Sequence, residues 1–534
     1  MTATAPDDVH GHEHLRGTTA VDVDASGLAM DDDARYRAMK ARDARFDGRF
    51  FIGVRTTGIY CRPSCPTPIQ PLRRNLGFYP TAASAQQAGF RACKRCRPDA
   101  TPGSPEWNVR ADLVGRALRL IGDGVVDREG VSGLARRLSV SDRHLNRLLS
   151  EQVGAGPIAL ARAQRAQTAR LLIETTSLSF SDVAFAAGFS SVRQFNDTVK
   201  EVFAAPPTAL RSSSSSCRGA GPLAAGGAGV VSITIRLAVR SPFDHDHLLS
   251  FLAARSVGGV ESMRDGMYSR SVHLAGGPAV VDVHPSDDGV VATFHLSDLR
   301  DLASATARTR RLLDLDADPV AVAEVLAADP VLRDVVRVHP GLRSPGALDP
   351  HEAAVRAVIG QQVSVASARR TAEKLTESCG RPLRQPIGRI DRVFPDMDTL
   401  AGVDPDRLGM PRARARTVVQ LASALADGAI VLDAGTDRRR VIDALEAIPG
   451  IGPWTASYIV MRALSDPDVL LLSDAAVRAG AVRLGLPESG SGLAEHARRW
   501  APWRSYATHH LWSAPDPART CGRPVAPVEN RSSR

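Results

Sequence analysis

Four of the seven cysteines in this 534-residue chain lie in one short stretch, as two close pairs. Cys61 is paired with Cys65, and Cys93 with Cys96. Zn²⁺ prefers thiolate ligands, and two pairs carried on separate turns can complete a tetrahedron around one ion. The spacing alone predicts a single zinc ion with a structural role, and a zinc-bound thiolate that reacts is the alternative.

A second candidate for chemistry is Asp474, a carboxylate that follows the apolar residues 469–472. Taken alone, such an Asp is typical of a helix cap. Shortly before it, residues 448–458 join two helices through Gly450 and Gly452, and a turn without side chains lets the backbone approach a phosphate. The combination favours a carboxylate that stabilises the cationic sugar formed when a glycosidic C–N bond breaks.

Charge is unevenly distributed along the chain. The net charge is +9, and most of the positive excess lies within residues 31–211. A basic surface predicts a polyanionic partner, most simply double-stranded DNA, and a solvated basic surface is the alternative. No signal peptide and no apolar run of membrane-spanning length is visible, so we expect a cytoplasmic, nucleoid-associated protein.

Composition and periodicity predict a mainly α, multidomain fold of seven segments. These are a disordered leader (1–30), a zinc-bound α+β domain (31–105), a helical DNA-binding domain (106–211), a flexible Ser/Gly linker (212–229), an α+β domain (230–340), an all-α body (341–514) and a tail (515–534). In the second α+β domain, alternation predicts strands at 231–239, 268–274, 279–284 and 290–296 and a helix at 246–255.

The helical domain contains two helix-turn-helix patterns, at residues 131–149 and 180–202. In each, small residues let the second helix pack across the first and present its polar side to a major groove. The side chains placed to reach DNA are Arg143, His144, Asn146, Arg147, Arg193, Gln194 and Asn196. An ordinary helical hairpin is the alternative for one copy. The second copy, through residues 182–189 and 206–207, resembles AraC-type regulators, which implies promoter DNA and RNA polymerase as partners.

Residues 51–99 resemble the N-terminal domain of the Ada methylation-response family, through 54–65, 75–79 and 88–96. The resemblance implies that Cys61, the first of the four cysteines, irreversibly accepts a methyl group from a methylated DNA phosphate while bound to zinc. A zinc ion with four thiolates carries a net charge of about −2, which repels an ordinary phosphodiester. Methylation would lower that charge and raise DNA affinity, which makes the repair event a transcriptional switch.

Residues 232–514 resemble the helix-hairpin-helix DNA glycosylases of the AlkA type, through 251–255, 353–365, 408–411, 448–458 and 500–507. The resemblance implies a TBP-like first domain, no cofactor in this half, and base flipping with hydrolytic release of 3-methyladenine, with Asp474 as the catalytic carboxylate. It also implies an aromatic base pocket and a set of DNA contacts. These are Phe251, Trp454, Tyr458 and Trp512 for the pocket, and Gly450, Gly452, Gln361 and Gln362 for DNA.

Three positions distinguish this chain within the resemblance. Trp454 stands where bifunctional relatives have a lysine, which implies an enzyme that leaves an abasic site without cutting the strand. Gln362 replaces the usual apolar wedge, and Ser513 replaces a second aromatic residue. The alternative for this half is a domain that only binds DNA and serves a transcriptional regulator.

Overall fold

A computed structural model describes residues 32–514 apart from short gaps, together with two strands nearer the N-terminus. The gaps are 43–45, 48–49, 66, 68–70, 94, 97, 99–111, 213–224, 227–229, 287–288, 433–435 and 437. The two strands, β1 (Asp22–Val23) and β2 (Ala29–Met30), pair antiparallel. The expected disordered leader and flexible linker fall almost wholly outside the described residues, and the tail does so completely.

The cysteines belong to a small domain with a four-stranded sheet in the order β5-β3-β4-β6. Its elements are α1 (Asp32–Lys40), β3 (Phe51–Val54), β4 (Ile59–Cys61), β5 (Leu76–Tyr79), α2 (Ala82–Gln87) and β6 (Arg91–Ala92). Every residue of β3 is buried, as expected for a central strand. Residues Phe50, Ile52 and Leu76 form its core together with α1. This arrangement agrees with the α+β expectation.

Seven helices follow, and they form two helix-turn-helix units joined by the long helix α6. They are α3 (Asp112–Gly122), α4 (Val125–Arg137), α5 (Asp142–Val153), α6 (Pro157–Thr175), α7 (Phe180–Ala186), α8 (Val192–Phe203) and α9 (Pro207–Ser212). Gly130, with a φ of +71°, is not helical and divides α4 into two parts. The second part begins after Gly130, which agrees with the predicted start of the first unit at residue 131. Ser141 and Ser191 cap the second helix of each unit.

The next domain is built on a six-stranded antiparallel sheet in the order β7-β8-β12-β11-β10-β9. Its elements are β7 (Ala225–Gly226), β8 (Val230–Leu237), α10 (His245–Ala253), β9 (Glu261–Arg264), β10 (Met267–Leu274), β11 (Gly277–Ser286), β12 (Gly289–Leu296), α11 (Leu302–Leu312), α12 (Pro319–Ala327) and α13 (Pro330–Val338). All four predicted strands are confirmed. The edge strands β7 and β9 were not predicted, because they are too short to alternate clearly.

The last region is helical except for one β-hairpin. Its elements are α14 (Pro350–Ile359), α15 (Val365–Cys379), β13 (Arg381–Ile387), β14 (Ile390–Val393), α16 (Met397–Ala401), α17 (Arg412–Ala426), α18 (Arg438–Glu446), α19 (Pro453–Ala463), α20 (Ala475–Arg483), α21 (Gly490–His496) and α22 (Arg504–Trp512). The hairpin corrects the all-α expectation. Pro382 and Pro386 exclude a helix there, and Gly388 forms the turn with a φ of +58°.

Local sequence explains how several of these helices begin. Asp318, Asp329 and Asp349 each precede a proline and cap α12, α13 and α14, respectively, by accepting backbone N–H bonds. Asp at the cap and Pro at the first helical position are both favoured. A single large apolar core, which includes the fully buried Trp500 and Tyr506, holds the helical body together. None of the described helices is both long and apolar enough to cross a membrane.

Candidate metal centre and candidate active site

Strand pairing brings the two cysteine pairs together. Strands β4 and β6 run parallel with Tyr60 opposite Ala92, so Cys61 and Cys93, which follow these residues, lie side by side. The backbone N–H of Cys93 donates to the Tyr60 carbonyl at 3.0 Å. The four sulfur atoms all lie within 4.8 Å of one another. In a tetrahedral zinc–thiolate site with bonds of about 2.3 Å, neighbouring sulfurs lie about 3.8 Å apart, so the cluster fits one zinc ion.

The four cysteines differ in their exposure. Cys65 and Cys96 are buried, whereas Cys61 and Cys93 are partly exposed. Hydrogen bonds with the neighbouring thiols, first of all Cys65, together with burial raise the pKa of Cys61. A bound cation would replace the shared protons and hold the sulfurs as thiolates. Exposure alone therefore allows either Cys61 or Cys93 to be the methyl acceptor. The choice of Cys61 depends on the resemblance to the Ada family.

Several basic residues near the cluster face solvent. Arg55, Arg74, Arg91 and Arg95 are exposed, whereas Arg62 is half-buried and lies 3.3 Å from the Asp47 carboxylate. The nearby Lys94 and Arg97 lie outside the described residues. Of these exposed residues, Arg91 and Arg95 are close in sequence to Cys93 and Cys96, and such guanidinium groups suit a phosphate backbone.

Asp474 lies at the centre of a hydrogen-bond network. As the N-cap of α20, its Oδ1 accepts from the backbone N–H groups of Ala476 and Val477 at 3.0 and 2.9 Å. The indole Nε1 of Trp454 donates to Oδ2 at 3.0 Å, and that of Trp512 donates to Oδ1 at 3.0 Å. These charge-assisted hydrogen bonds fix the orientation of a half-exposed carboxylate. The structure therefore makes Asp474 both a helix cap and the meeting point of two predicted pocket residues.

The four predicted aromatic residues come together around this carboxylate, but they are not equivalent. Trp454 stacks on Tyr458 with ring centroids 5.3 Å apart, and Trp512 stacks on Phe251 at 6.2 Å. The Phe251 side chain is only 9% exposed. We conclude that Phe251 supports the indole of Trp512 from behind, and that the half-exposed Trp454, Tyr458 and Trp512 form the open part of the pocket.

Two arginines that the sequence reasoning missed lie behind the aromatic rings. The Cζ atoms of Arg255 and Arg462 lie 3.7 and 4.9 Å from the centre of the Phe251 ring, respectively. Burial alone would raise the pKa of Tyr458, but Arg462, Arg255 and Arg356 outweigh burial and lower that pKa. The sequence contained a signal for these two arginines. Arg255 follows Phe251 by four residues, and Arg462 follows Tyr458 by four residues, a spacing that brings side chains together on a helix.

Histidines occupy the space beside Ser513, where a second aromatic residue is usual. The Ser513 hydroxyl lies 2.8 Å from Nε2 of His247 and donates to the His509 carbonyl at 2.9 Å. The His509 ring is fully buried against Phe251 and Trp512, with centroid distances of 5.2 and 4.9 Å. Burial and the nearby Arg462 lower the pKa of His509 well below its usual value. At physiological pH, the His509 ring is therefore neutral and packs against Trp512.

The two hairpin glycines, Gly450 and Gly452, have different structural roles. Gly450 has a φ of +95°, and a Cβ atom there would overlap Oγ1 of Thr417. Gly452 is the N-cap of α19 and has open space around it. Only Gly452 therefore leaves the backbone open to a phosphate, whereas Gly450 is required by the turn and its packing.

The two predicted DNA contacts at the tip between α14 and α15 also differ. The Gln361 amide donates to the Gly450 carbonyl at 2.8 Å and to Oγ1 of Thr455 at 2.9 Å, so it anchors the tip to the hairpin. Arg414 donates to the Gln361 carbonyl at 2.7 Å. Gln362 is exposed and has a φ of +53°, a strained backbone for a residue with a side chain. Of the pair, Gln362 is the one whose side chain is presented to solvent.

The predicted recognition side chains lie on α5 and α8. Leu145 and Phe195 anchor these helices in the core. On the opposite faces, six of the seven predicted residues are exposed and one, His144, is half-buried; the exposed residues are Arg143, Asn146, Arg147, Arg193, Gln194 and Asn196. The Gln194 side chain accepts a hydrogen bond from the Ser190 hydroxyl at 3.0 Å, and Asn146 donates to the Asp142 carbonyl at 2.9 Å. Arg143 and Arg193 are thus better placed for DNA than these two amides.

Comparison with known proteins gives three family models that match successive parts of the chain. They are the metal binding domain of Ada over residues 34–99, a helix-turn-helix domain over 134–213 and the AlkA N-terminal domain over 234–349. A probable bifunctional transcriptional activator/DNA repair enzyme AlkA from Mycobacterium tuberculosis is 54% identical, over 90% of this chain and 95% of the relative. The chain belongs to this family of bifunctional activator and repair proteins.

Shorter relatives match the two halves of this bifunctional protein separately. DNA-3-methyladenine glycosylase 2 from Escherichia coli is 34% identical, over 51% of this chain and 94% of the relative. The bifunctional transcriptional activator/DNA repair enzyme Ada from Escherichia coli is 35% identical, over 32% of this chain and 47% of the relative. The multidomain, mainly helical fold, the capacity to bind DNA and the single zinc site are thereby confirmed.

Proposed function

We propose that this protein detects and repairs DNA alkylation with two separate reaction centres. Cys61 accepts a methyl group from a DNA methyl phosphotriester, and Asp474 serves the hydrolytic release of alkylated bases such as 3-methyladenine. The observation that carries the proposal is the convergence of two indole N–H groups on Asp474 in a chain that also brings four cysteine sulfurs within 4.8 Å.

At the first centre, Cys61, Cys65, Cys93 and Cys96 would hold zinc. Zinc bound there would keep the acceptor sulfur as a thiolate at neutral pH. The Cys61 sulfur attacks the methyl carbon of the phosphotriester, so that an S–C bond forms as the C–O bond breaks. The electron pair of that C–O bond stays with the phosphate oxygen, and the product is an ordinary phosphodiester. The sulfur becomes a thioether, and the reaction is not reversed.

Methylation then acts as the switch for transcription. The loss of one negative charge at the sulfurs raises affinity for the DNA backbone, to which the exposed Arg91 and Arg95 add positive charge. The two helix-turn-helix units bind promoter DNA, and RNA polymerase is the partner that an activator requires. We place this activity in the cytoplasm, on nucleoid DNA, because DNA supplies both the damage and the promoter.

At the second centre, the damaged base leaves the duplex and stacks on the half-exposed indoles of Trp454 and Trp512. An alkylated purine is electron-poor, so it gains more from these electron-rich faces than a normal base does. As the bond from the sugar to the base breaks, its electron pair leaves with the base and positive charge develops on the sugar. The oriented Asp474 carboxylate stabilises that charge until water attacks the sugar carbon.

The products are a free base and an abasic site in an uncut strand. A strand-cutting mechanism needs an amine that bonds to the sugar, and Trp454 occupies the position where bifunctional relatives carry that lysine. No cofactor enters this reaction.

One experiment tests both activities. The full chain with one zinc ion is mixed with duplex DNA treated with a methylating agent, and protein mass and released bases are measured together. Wild type is expected to gain one methyl group on Cys61 and to release 3-methyladenine. Cys61→Ser should lose methylation and keep base release, whereas Asp474→Asn should keep methylation and lose base release.

Two outcomes would overturn parts of the proposal. If Cys93→Ser abolished methylation while Cys61→Ser did not, Cys93 would be the acceptor. If wild type bound the DNA but released no base, the second half would be a DNA-binding module of a regulator. Asn is as good a helix cap as Asp, so Asp474→Asn should keep α20 intact.

A further inference from the structure

The Asp47 carboxylate holds the turn between the first two cysteines. Its side chain is 9% exposed, and its Oδ1 accepts from the Ser64 backbone N–H at 2.9 Å. Its Oδ2 accepts from the Ser64 hydroxyl at 2.5 Å and lies 3.3 Å from Nη1 of Arg62. Ser64 and Arg62 both belong to the loop from Cys61 to Cys65. One buried carboxylate therefore contacts three donors of the loop that carries the methyl acceptor.

An arginine from the glycosylase half holds Asp47 in turn. Arg240, which follows β8, is 9% exposed, and its Nη2 donates to the Asp47 carbonyl at 2.9 Å. The Arg240 carbonyl accepts from Nη2 of Arg343 at 2.6 Å. A continuous set of hydrogen bonds thus runs from the glycosylase half through Arg240 and Asp47 to Ser64.

The two halves also meet at a second point. Arg311 on α11 forms an ion pair with Asp123 at 2.8 Å, and both side chains are largely buried. Neither residue has a described contact with the cysteine loop. This pair provides a comparison, since it also joins the two halves through an arginine, here by an ion pair between side chains and not by a hydrogen bond to the Asp47 carbonyl.

We propose that Asp47 is a positioning residue for the methyl acceptor, and that Arg240 keeps Asp47 in place from the glycosylase half. The inference rests on the proposed methyl transfer to Cys61. Displacement of a methyl group requires the sulfur to approach the carbon in line with the breaking bond, and a displacement of about 1 Å can cost about a hundredfold in rate. Removing either contact lets the loop move without removing any metal ligand.

The test is single-turnover methylation of the zinc-loaded full chain by phosphotriester DNA, followed by mass. For Asp47→Asn, we expect the first-order rate constant at saturating DNA to fall about tenfold. Ser64→Ala, which removes one of the three donors, and Arg240→Gln should each lower it by about threefold. The DNA concentration that gives half the maximal rate and the zinc content of one ion per chain should stay at their wild-type values. Arg311→Gln should match wild type in the rate constant, in the half-saturating DNA concentration and in zinc content.

The outcomes separate the possible failures. If wild type itself is not methylated, the proposed function fails. If wild type reacts and the Asp47 and Ser64 variants react equally fast, Asp47 does not position the loop. A loss of zinc in proportion to the loss of rate would show a structural role only. Equal losses in Arg240→Gln and Arg311→Gln would show that general docking of the halves matters and that the contact with Asp47 does not.

Discussion

The two reaction centres of this protein are built in opposite ways. The cysteine cluster is assembled from four residues within one short stretch, closed by neighbouring strands of one small sheet. The base pocket gathers Phe251, Trp454, Asp474 and Trp512 from three helices and a helix cap that are distant in the chain. A centre consumed by one reaction can be local and held by its metal, whereas a centre that turns over needs a rigid scaffold on every side.

Removal of zinc should produce the largest difference between the activities of the two centres. Structural zinc contributes about 10–16 kcal/mol to folding of small zinc domains, so a chelator is expected to abolish methyl transfer completely. Release of 3-methyladenine should persist, because the described contacts that orient Asp474, Trp454 and Trp512 all lie within the glycosylase half. Both activities are measured on the same sample before and after chelation, with zinc added back as the control. If the chelator abolished base release as completely as methyl transfer, the two centres would not be independent of each other.

The scaffold of the pocket should depend on pH through Asp314. Burial raises the pKa of this carboxyl to about 7, although Tyr506 on α22 donates to it at 2.8 Å. Because the folded-state pKa lies above the unfolded one, the contribution to stability is full at low pH and is lost as pH rises toward 7. Between about pH 5 and pH 8, wild type should lose about 3 kcal/mol of unfolding free energy relative to Asp314→Asn.

Denaturant unfolding at several pH values, followed by Trp fluorescence, measures this difference. Asp265→Asn is the control, since the Asp265 side chain is 87% exposed. A pH-independent difference between wild type and Asp314→Asn would show that Asp314 is ionised in the folded state throughout that range.

The indole hydrogen bonds to Asp474 should matter for rate more than for binding. Trp512→Phe keeps an aromatic ring and removes the donor at 3.0 Å. A hydrogen bond to a charged group contributes about 2 kcal/mol, so base release should slow by about thirtyfold. Trp500→Phe is the matched control, because the Trp500 indole donates to Asp329 at 2.8 Å away from the pocket. If both variants slowed base release equally, the Trp512 effect would be one of packing.

The smallest effect is expected at the recognition helices. The Arg193 side chain is 94% exposed on α8. Arg193→Ala should weaken promoter binding by about 1 kcal/mol and reduce the magnitude of the slope of log binding constant against log salt concentration by about one. Binding is measured by fluorescence anisotropy at several salt concentrations. Arg264→Ala, on the glycosylase half and 70% exposed, should leave promoter affinity unchanged. An unchanged affinity in Arg193→Ala would remove this residue from the interface.

The sequence predicted some parts of both centres and missed others for identifiable reasons. Cys61, Cys65, Cys93 and Cys96 were predicted as a cluster because metal ligands must be close in space, and here they are also close in the chain. The hairpin at β13–β14 was missed because a short strand pair has little periodicity of its own. Gln361 was predicted to contact DNA, whereas its amide is bonded to the hairpin turn.

For the pocket, the resemblance to the glycosylases implied an aromatic site, but it did not show which rings line the opening and which ring supports them. That Phe251 supports while Trp454 and Trp512 line the opening depends on two arginines that pack against Phe251. Arg255 lies in the turn after α10, and Arg462 lies on α19. Periodicity shows which face of a helix is buried and does not show which distant helix covers it.

The sequence by itself determined the ligands of one metal ion, the two helix-turn-helix units and the carboxylate near a Gly-x-Gly turn. Each is carried by residue types at a characteristic spacing in the chain, and that spacing is visible without knowing how the domains pack. Only the tertiary structure decided that two indoles orient Asp474 and that Arg240 reaches the Asp47 carbonyl. Those contacts join residues 20, 38 and 193 positions apart. They are set by how separate helices and whole domains pack to bury apolar surface.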